Sequence, residues 1–590
     1  MCGICGSIHF DQAPADRDGI QRMMQVMACR GPDAWGMLVQ TPVAFGHLRL
    51  SIIDLDPRSN QPMTDRFGRA IVFNGEIYNY RDLRREIGSR WEFRTESDTE
   101  VILAAYHLWG PDCVRRFNGD WAFAIDDRLR HRVFLSRDRV GVKPLYYARI
   151  DNRFLFASEV RALVAAGVPG RVSRQTLVEF AKRGKNEPGQ RTLVDQCHAL
   201  LPAHNLVVHD DGRIEESEYW SESDIFAAAV PHDFPEATRR YRSLLEDSVR
   251  LRLHADVPVG VCLSGGLDSS LITAIASQIS AESVRTFSGV ASEYGSDEGP
   301  FSDLVADAHG TRHTRIPLDF DGFVDGLKRY VIAQEAPAGG VSPLARMLVL
   351  ERAAEDVTVL LDGQGGDEIL AGYYRYHVAY REAWPDRPLA MEPRVDREKS
   401  RHRPLSEFEP DFLRDSLPPP ADLPSLERCV DPITRMQYES LRGPGLLSLL
   451  HTEDRLTMAR SLEGRVPLLD HRLIEFCFSA PLQFRIDGVD KRLSRAAARH
   501  EGLLPEAVVD RRDKQGFATP YADMLCEIAS RQAVEDLIRH LVRQTPGIFG
   551  TSVLVSLLDE HAEGAVDNSK RLFRAITTLI FLGEMNYQVV

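Results

Sequence analysis

The sequence predicts two units of different class, an α+β unit followed by an α/β unit built on a parallel sheet. Two observations predict this. Up to about residue 205 the pattern is short strands and turns with occasional helices, and from about 236 helices and strands alternate. The length agrees, since 590 residues suffice for two domains, each with its own core.

In the first unit, Val43–Leu50 and Ala70–Phe73 read as strands and Asp98–Leu108 as a helix. The pattern then loosens, with a turn at His209-Asp210-Asp211-Gly212 and no clear period at Val230-Pro231-His232-Asp233. The expected division is therefore a domain over 2–205, a linker over 206–235 and a domain over 236–590. The stretch Asp386–Leu426, rich in Pro, Arg and acidic residues, reads as an irregular insertion.

Composition excludes several function classes. Hydrophobic residues make up 43% and charged residues 27%, ordinary for a soluble globular chain. A net charge of −14 argues against a general nucleic-acid footprint. No apolar run is long enough for a membrane span. Nine cysteines, an odd number without framework spacing, suggest free thiols in a reducing compartment. The N-terminus carries no export signal, so the cytoplasm is the expected location.

Cys2 follows the initiator Met1. Removing Met1 would give Cys2 an α-amine of pKa near ~8, able to take the thiol proton, so one residue would supply nucleophile and base. Two other readings stand beside this one: a cysteine of no consequence, and a Cys2-Gly3-Ile4-Cys5 metal or redox pair, although no second such pair follows at zinc spacing. Further along come Arg30-Gly31-Pro32-Asp33, His47-Leu48-Arg49, Asn74-Gly75-Glu76 after a strand, and Ser97-Asp98 opening a helix. A thiolate attacking an amide creates an oxyanion, which an Asn side chain and a Gly N–H can stabilise. A free amino acid needs a cation such as Arg49 for its carboxylate, and acids such as Glu76 and Asp98 for its ammonium. Each residue alone also fits a structural role: a turn Asn-Gly, a surface Arg, an N-cap Asp.

Taken in order, and with Ser136-Arg137-Asp138-Arg139-Val140-Gly141-Val142-Lys143-Pro144 downstream, the set resembles the N-terminal-nucleophile (Ntn) glutaminase domain of class II glutamine amidotransferases. The resemblance implies a four-layered αββα sandwich. It implies Cys2 as nucleophile, Asn74 and Gly75 as oxyanion hole, and Arg49, Asn74, Glu76 and Asp98 as the residues holding glutamine.

The second unit opens with a buried-strand run, Val257–Leu263, then Ser264-Gly265-Gly266-Leu267-Asp268-Ser269-Ser270 and the helical Leu271–Ser277. Glycines let backbone approach phosphate, and the helix N-terminus offers N–H groups and a positive dipole end. The Gly-Lys-Ser/Thr of a Walker loop is absent. The string resembles the pyrophosphate loop of ATP pyrophosphatases. A second strand end, Val357–Leu361, runs into Asp362-Gly363-Gln364-Gly365-Gly366-Asp367. Asp268 and Asp367 could flank a magnesium ion, which prefers oxygen ligands.

Glu463–Asp470 reads as leading into a helix, Lys491 precedes the helical Arg492–Arg499, and Arg511–Phe517 reads as a basic loop. Nearly the whole chain thus resembles the asparagine synthetase family. By that resemblance ATP and Mg²⁺ are required; Ser264, Gly265, Gly266, Leu267, Asp268 and Ser269 bind ATP; and Leu263, Gly289, Asp362 and Gly363 frame the nucleotide. Lys491 would contact phosphates and Lys514 would stabilise charge on the adenylate. The implied activity is carbon–nitrogen ligation: glutamine yields ammonia, ATP adenylates a carboxylate, and ammonia travels through an internal apolar tunnel to displace AMP. Two departures leave the acceptor open. Gln364 stands where the family usually has Glu, and Gly339 where it usually has an Arg for the aspartate carboxylate. Aspartate, or another carboxylate such as a peptide, an osmolyte precursor, a sugar acid or a secondary metabolite, fits equally. The sequence does not fix the oligomeric state; a homodimer is one assembly it allows.

Overall fold

A computed structural model describes the chain except residues 1, 12, 186–188, 291–297, 319–322, 388, 390–407, 409–425, 427–429, 513–524 and 527. Most of the expected insertion at 386–426, and Lys514, lie outside the described residues.

Two six-stranded antiparallel sheets form the first domain. One runs, edge to edge, His198–Ala199, Tyr146–Ile150, Arg153–Ala157, Gly3–His9, Val43–Arg49, Ala34–Gln40. The other runs Ile214–Glu218, His204–His209, Arg132–Arg137, Gly119–Asp127, Ala70–Ile77, Met63–Thr64. Strand residues alternate between faces, and the alternation sorts the cores. Ile4, Ile8 and Phe45 pack against Val72, Ala124 and Leu135 between the sheets. On the outer face of the first sheet, Cys5 and Ala44 meet Ile20, Met23 and Met24 of the helix Arg17–Val26. On the outer face of the second, Ile71, Phe73 and Phe123 meet Leu83 and Val101 from helices Tyr80–Ile87 and Asp98–Trp109. The order of layers is helix, sheet, sheet, helix, the αββα sandwich expected.

The hairpin His204–Glu218 corrects one boundary. Its first strand pairs with Arg132–Arg137 from Asn205↔Ser136 to His209↔Arg132, so much of the expected linker 206–235 is the edge of the second sheet. Only after it does the long helix Phe234–Leu253 begin, capped by the Asp233 side chain on Glu236 N.

The second domain holds a five-stranded sheet in the order Arg312–Pro317, Arg285–Val290, Val259–Cys262, Val359–Leu361, Glu463–Arg465, with every pairing parallel. Helices cover both faces, as parallel sheets require. Val261, Val359 and Leu361 pack toward the helices Leu267–Ile279 and Gly299–His309, while Cys262, Phe287 and Leu360 face Ser342–Ala353 and Ser569–Met585. Strand order reverses direction between Val259–Cys262 and Val359–Leu361. In open α/β sheets ligands bind at such a point, beyond the carboxyl ends of the strands. Glu463–Arg465, expected as the approach to a helix, is instead the fifth strand. Among the described residues, no helix is long and apolar enough to cross a membrane.

Candidate active site

The first site gathers around Cys2, buried at the start of the strand Gly3–His9. Cys2 N donates to Asn74 Oδ1 at 2.9 Å, and Cys2 Sγ lies 3.9 Å from Leu50 O. That bond fixes the Asn74 amide, so its Nδ2 is a fully buried donor with no hydrogen-bond partner among the described residues. Gly75 follows with φ of 146°, and a Cβ there would lie 2.1 Å from Asp120 O, so only glycine fits. Both residues stand within the strand Ala70–Ile77, not in a loop after it as the sequence suggested. Burial pushes the Cys2 thiol above its usual pKa, so it is neutral until a base takes its proton.

The acids expected to meet an ammonium are also interior. Glu76 and Asp98 are 4% and 5% exposed. Burial raises Glu76, with Asp98 and Glu463 adding to the effect, and burial raises Asp98 to about 6. Asp98 accepts from Ile77 N at 2.9 Å at the start of the helix that Ser97 caps. Arg49 is occupied: it donates to Asn60 Oδ1 at 2.7 Å and to the carbonyls of Asp54 and Asp56 at 2.5 and 3.1 Å, tying down the loop beside Cys2.

The second site lies at the reversal in the parallel sheet. Ser264 Oγ and Ser269 Oγ are 3.0 Å apart, and Ser269 Oγ donates to Gly266 O at 3.1 Å, closing the turn onto the N-terminus of the helix Leu267–Ile279. The neighbouring loop Asp362–Asp367 faces it. Lys491 Nζ bridges them, 2.5 Å from Asp268 Oδ2 and 2.6 Å from Asp367 Oδ1. Burial works against the Lys491 ammonium, but the two carboxylates outweigh it and raise its pKa. Gly372 permits this approach, since a Cβ there would lie 2.1 Å from Asp367 Oδ1 and 2.2 Å from Lys491 Cε. The pocket is lined by Ser264, Gly266, Leu267, Asp268, Ser269, Asp362, Gly363, Gln364, Asp367 and Lys491, with Arg346, Arg495, Arg511 and Arg512 around it.

Three expected nucleotide residues are not on that wall. Leu263 is fully buried core and hydrogen-bonds through its N–H to Phe287 O at 2.9 Å. Gly265 turns with φ of 72° against Phe301, and Gly289 packs between Leu318 and Val349.

Comparison with known proteins decides what the two sites belong to. A family model described as asparagine synthase matches residues 240–582, and one described as glutamine amidotransferase domain matches 1–220. The chain belongs to the asparagine synthase family. Asparagine synthetase [glutamine-hydrolyzing] 3 of Bacillus subtilis is 32% identical over 87% of this chain and 86% of its own. Asparagine synthetase [glutamine-hydrolyzing] 1 of the same organism is 29% identical over 99% and 96%. Amidase chyE of Penicillium rubens is 26% identical over 86% of each. This member of the asparagine synthase family is thus a glutamine-hydrolysing carbon–nitrogen ligase of the ATP-using kind.

Sequence reasoning missed how this family member joins its two sites. The strand Glu463–Arg465 belongs to the nucleotide sheet, and Arg465 O accepts from Asp362 N at 2.9 Å. Its side chain crosses to the first domain, where Arg465 Nη2 lies 3.5 Å from Glu76 Oε1 while Nε pairs with Glu463 at 2.6 Å. Arg465 holds Glu463 ionised against burial, at a pKa of about 2. A second crossing starts at Arg30, whose Nε donates to Cys2 O at 3.1 Å and whose guanidinium binds Asp454 at 2.8 and 2.9 Å. The adjacent Glu453 holds Arg346 at 2.6 Å, and Arg346 holds Asp362 at 2.5 Å. All of these pairs are buried. The signal available for Arg30 was the Arg-Gly-Pro-Asp string; for Glu453 and Asp454 it was only two adjacent acids in an amphipathic helix.

Proposed function

We propose that this protein makes an amide from a carboxylate, with Cys2 supplying the ammonia and the Ser264–Ser269 loop supplying the site of ATP cleavage. The observation that carries the proposal is the strand Glu463–Arg465, whose backbone bonds the nucleotide loop and whose side chain reaches the glutamine-side acid Glu76. An enzyme that only hydrolysed glutamine would have no use for that link.

Removal of Met1 turns the Cys2 nitrogen into an α-amine beside the thiol. The amine takes the thiol proton, and the sulfur attacks the glutamine side-chain carbonyl. The oxyanion is received by Asn74 Nδ2 and the Gly75 N–H; such a donor is worth about 3–4 kcal/mol of barrier. The amine returns that proton to the departing nitrogen, collapse expels it as neutral ammonia, and water cleaves the remaining thioester to glutamate. Glu76 and Asp98 bind the glutamine ammonium, which favours their ionised forms, and Arg49 shapes the carboxylate end by holding the loop beside Cys2 in place.

In the second domain a carboxylate oxygen attacks the α-phosphate of ATP and pyrophosphate leaves, giving an acyl-adenylate. Ammonia adds to the acyl carbon and AMP departs. Lys491 and the loop N–H groups grip the phosphates, and Lys514 is assigned to the adenylate by the family resemblance. Asp268 and Asp367 offer the carboxylate oxygens that Mg²⁺ prefers and would hold the ion beside the phosphates. When bound, the ion neutralises phosphate charge. The domain division proposed is 2–220 and 234–590, and the cytoplasm is the proposed compartment.

Aspartate is the first reading for the acceptor. A different carboxylate is favoured by two features: Gln364 is neutral, and Gly339 cannot carry a side chain, since a Cβ there would lie 2.1 Å from Gly184 O. The test is stoichiometry. With glutamine, ATP and acceptor, glutamate, pyrophosphate and AMP should appear one for one with amide. Release of ADP and phosphate, or mass spectrometry showing Met1 retained on active enzyme, would remove the proposal.

A further inference from the structure

Lys491 is not alone among cations built against the Ser264–Ser269 turn. Arg511 stands just beyond the short helix Glu506–Val509 and lines the same pocket. Its Nη1 donates to Gly265 O at 3.4 Å, and its Nη2 pairs with Glu298 Oε1 at 2.9 Å. The guanidinium lies 4.2 Å over the ring of Phe301, the residue against which Gly265 turns. Both charged side chains are largely withdrawn from solvent, Arg511 8% and Glu298 12% exposed.

One further side chain sets Arg511 and Lys491 relative to each other. Arg495 donates through Nη2 to Asp490 Oδ1 at 2.7 Å and through Nε to Asp490 O at 3.0 Å, next to Lys491. Its Nη1 donates to Arg511 O at 3.1 Å. The backbone carrying one cation is thus tied to the backbone carrying the other. The two also rest alike on acids of the pocket wall, Lys491 on Asp268 and Asp367, and Arg511 on Glu298. When a carboxylate attacks the α-phosphate, the bond to the bridging oxygen breaks and its electron pair leaves with pyrophosphate, so negative charge gathers on that half of ATP. A polyanion outcompetes one carboxylate for a guanidinium, whose planar fork matches phosphate oxygens two at a time. Stacking on Phe301 fixes the plane of the fork and leaves hydrogen bonding to its edge.

We infer that Arg511 is a second cationic ligand of the pyrophosphate half of ATP, held in place by Glu298 until the phosphates displace that acid. The inference rests on the reading that the second domain cleaves ATP between its α- and β-phosphates.

Calorimetric titration of the full chain with pyrophosphate and Mg²⁺ tests it without an acceptor, with AMP as the control ligand. Arg511→Met should weaken pyrophosphate about ten- to hundredfold, the scale of one charge-assisted hydrogen bond. AMP affinity should stay within about twofold, which also reports that the pocket is folded. Arg511→Lys, a point charge without the fork, should fall between Arg511→Met and wild type. Glu298→Gln removes the competing charge and should tighten pyrophosphate about threefold or more. A pair that only braced the Gly265 turn would instead make both substitutions weaken pyrophosphate. Wild type that does not bind pyrophosphate, Arg511→Met within about twofold of wild type, or Glu298→Gln no tighter than wild type overturns the inference and leaves the cleavage reading standing. ADP and phosphate as the products of ATP turnover overturn that reading, and the inference with it.

Discussion

The two sites are built from opposite kinds of β-structure. Around Cys2 the working groups sit on interior antiparallel strands, and Asn74, Glu76 and Asp98 are sealed from solvent. Around Ser264–Ser269 they sit on loops beyond parallel strands, partly open and crowded with charge. The difference follows from what each must handle. Ammonia released beside Cys2 has to stay unprotonated and the thioester must meet only one water, so the surroundings are dry, and dryness raises the acids and the thiol alike. A nucleotide has to enter and pyrophosphate has to leave, so that site is a cleft whose charges are kept paired by Lys491 until phosphate takes over.

The largest break between the two should come from Cys2→Ala. Glutaminase activity should fall by at least about 10⁴-fold, while pyrophosphate release supported by ammonium salts stays within about twofold. Joint loss of both, measured in parallel assays, would mean the sites are not separable. Asn74→Ala should lower the glutaminase kcat by about 10²–10³-fold with a smaller effect on KM, the signature of a group acting on the transition state. Asp268→Asn should cut pyrophosphate release by about a hundredfold by leaving Lys491 half-paired, with glutaminase unaffected.

The smallest effect is one of pH. Asp98 has a pKa raised to about 6, and only its ionised form attracts the glutamine ammonium. Above pH 6 it is charged and KM for glutamine should be flat; below, protonation competes and KM should rise by up to about tenfold per pH unit. The ammonia-dependent reaction should lack this feature. A flat KM down to pH 5 would count against Asp98 as the ammonium's partner.

How far each site was legible in the sequence tracks the same contrast. The nucleotide loop is written in consecutive residues, Ser264 to Ser270, because a strand–turn–helix is local. The Cys2 site is scattered over nearly a hundred residues, and Asn74-Gly75-Glu76 looks like a turn because polar residues and glycine seldom fill an interior strand. The hairpin beyond residue 204 reads as linker because its outer strand, Ile214–Glu218, is polar and largely exposed, with no apolar alternation to betray it. Glu463–Arg465 is three residues long, too short for any period, and its place in the sheet depends wholly on neighbours distant in the chain.

The crossing pairs bear on whether the polypeptide could exist as two. Arg30 with Asp454, Lys143 with the carbonyl of Gly464, and Arg465 with Glu76 each have one member on either side of residue 220. Severing the chain there would expose, on two new surfaces, charged groups that are now buried and paired with acids or carbonyls of the other half. The fragments would then reassociate or precipitate, and a free-standing glutaminase leaking ammonia is a species this arrangement selects against.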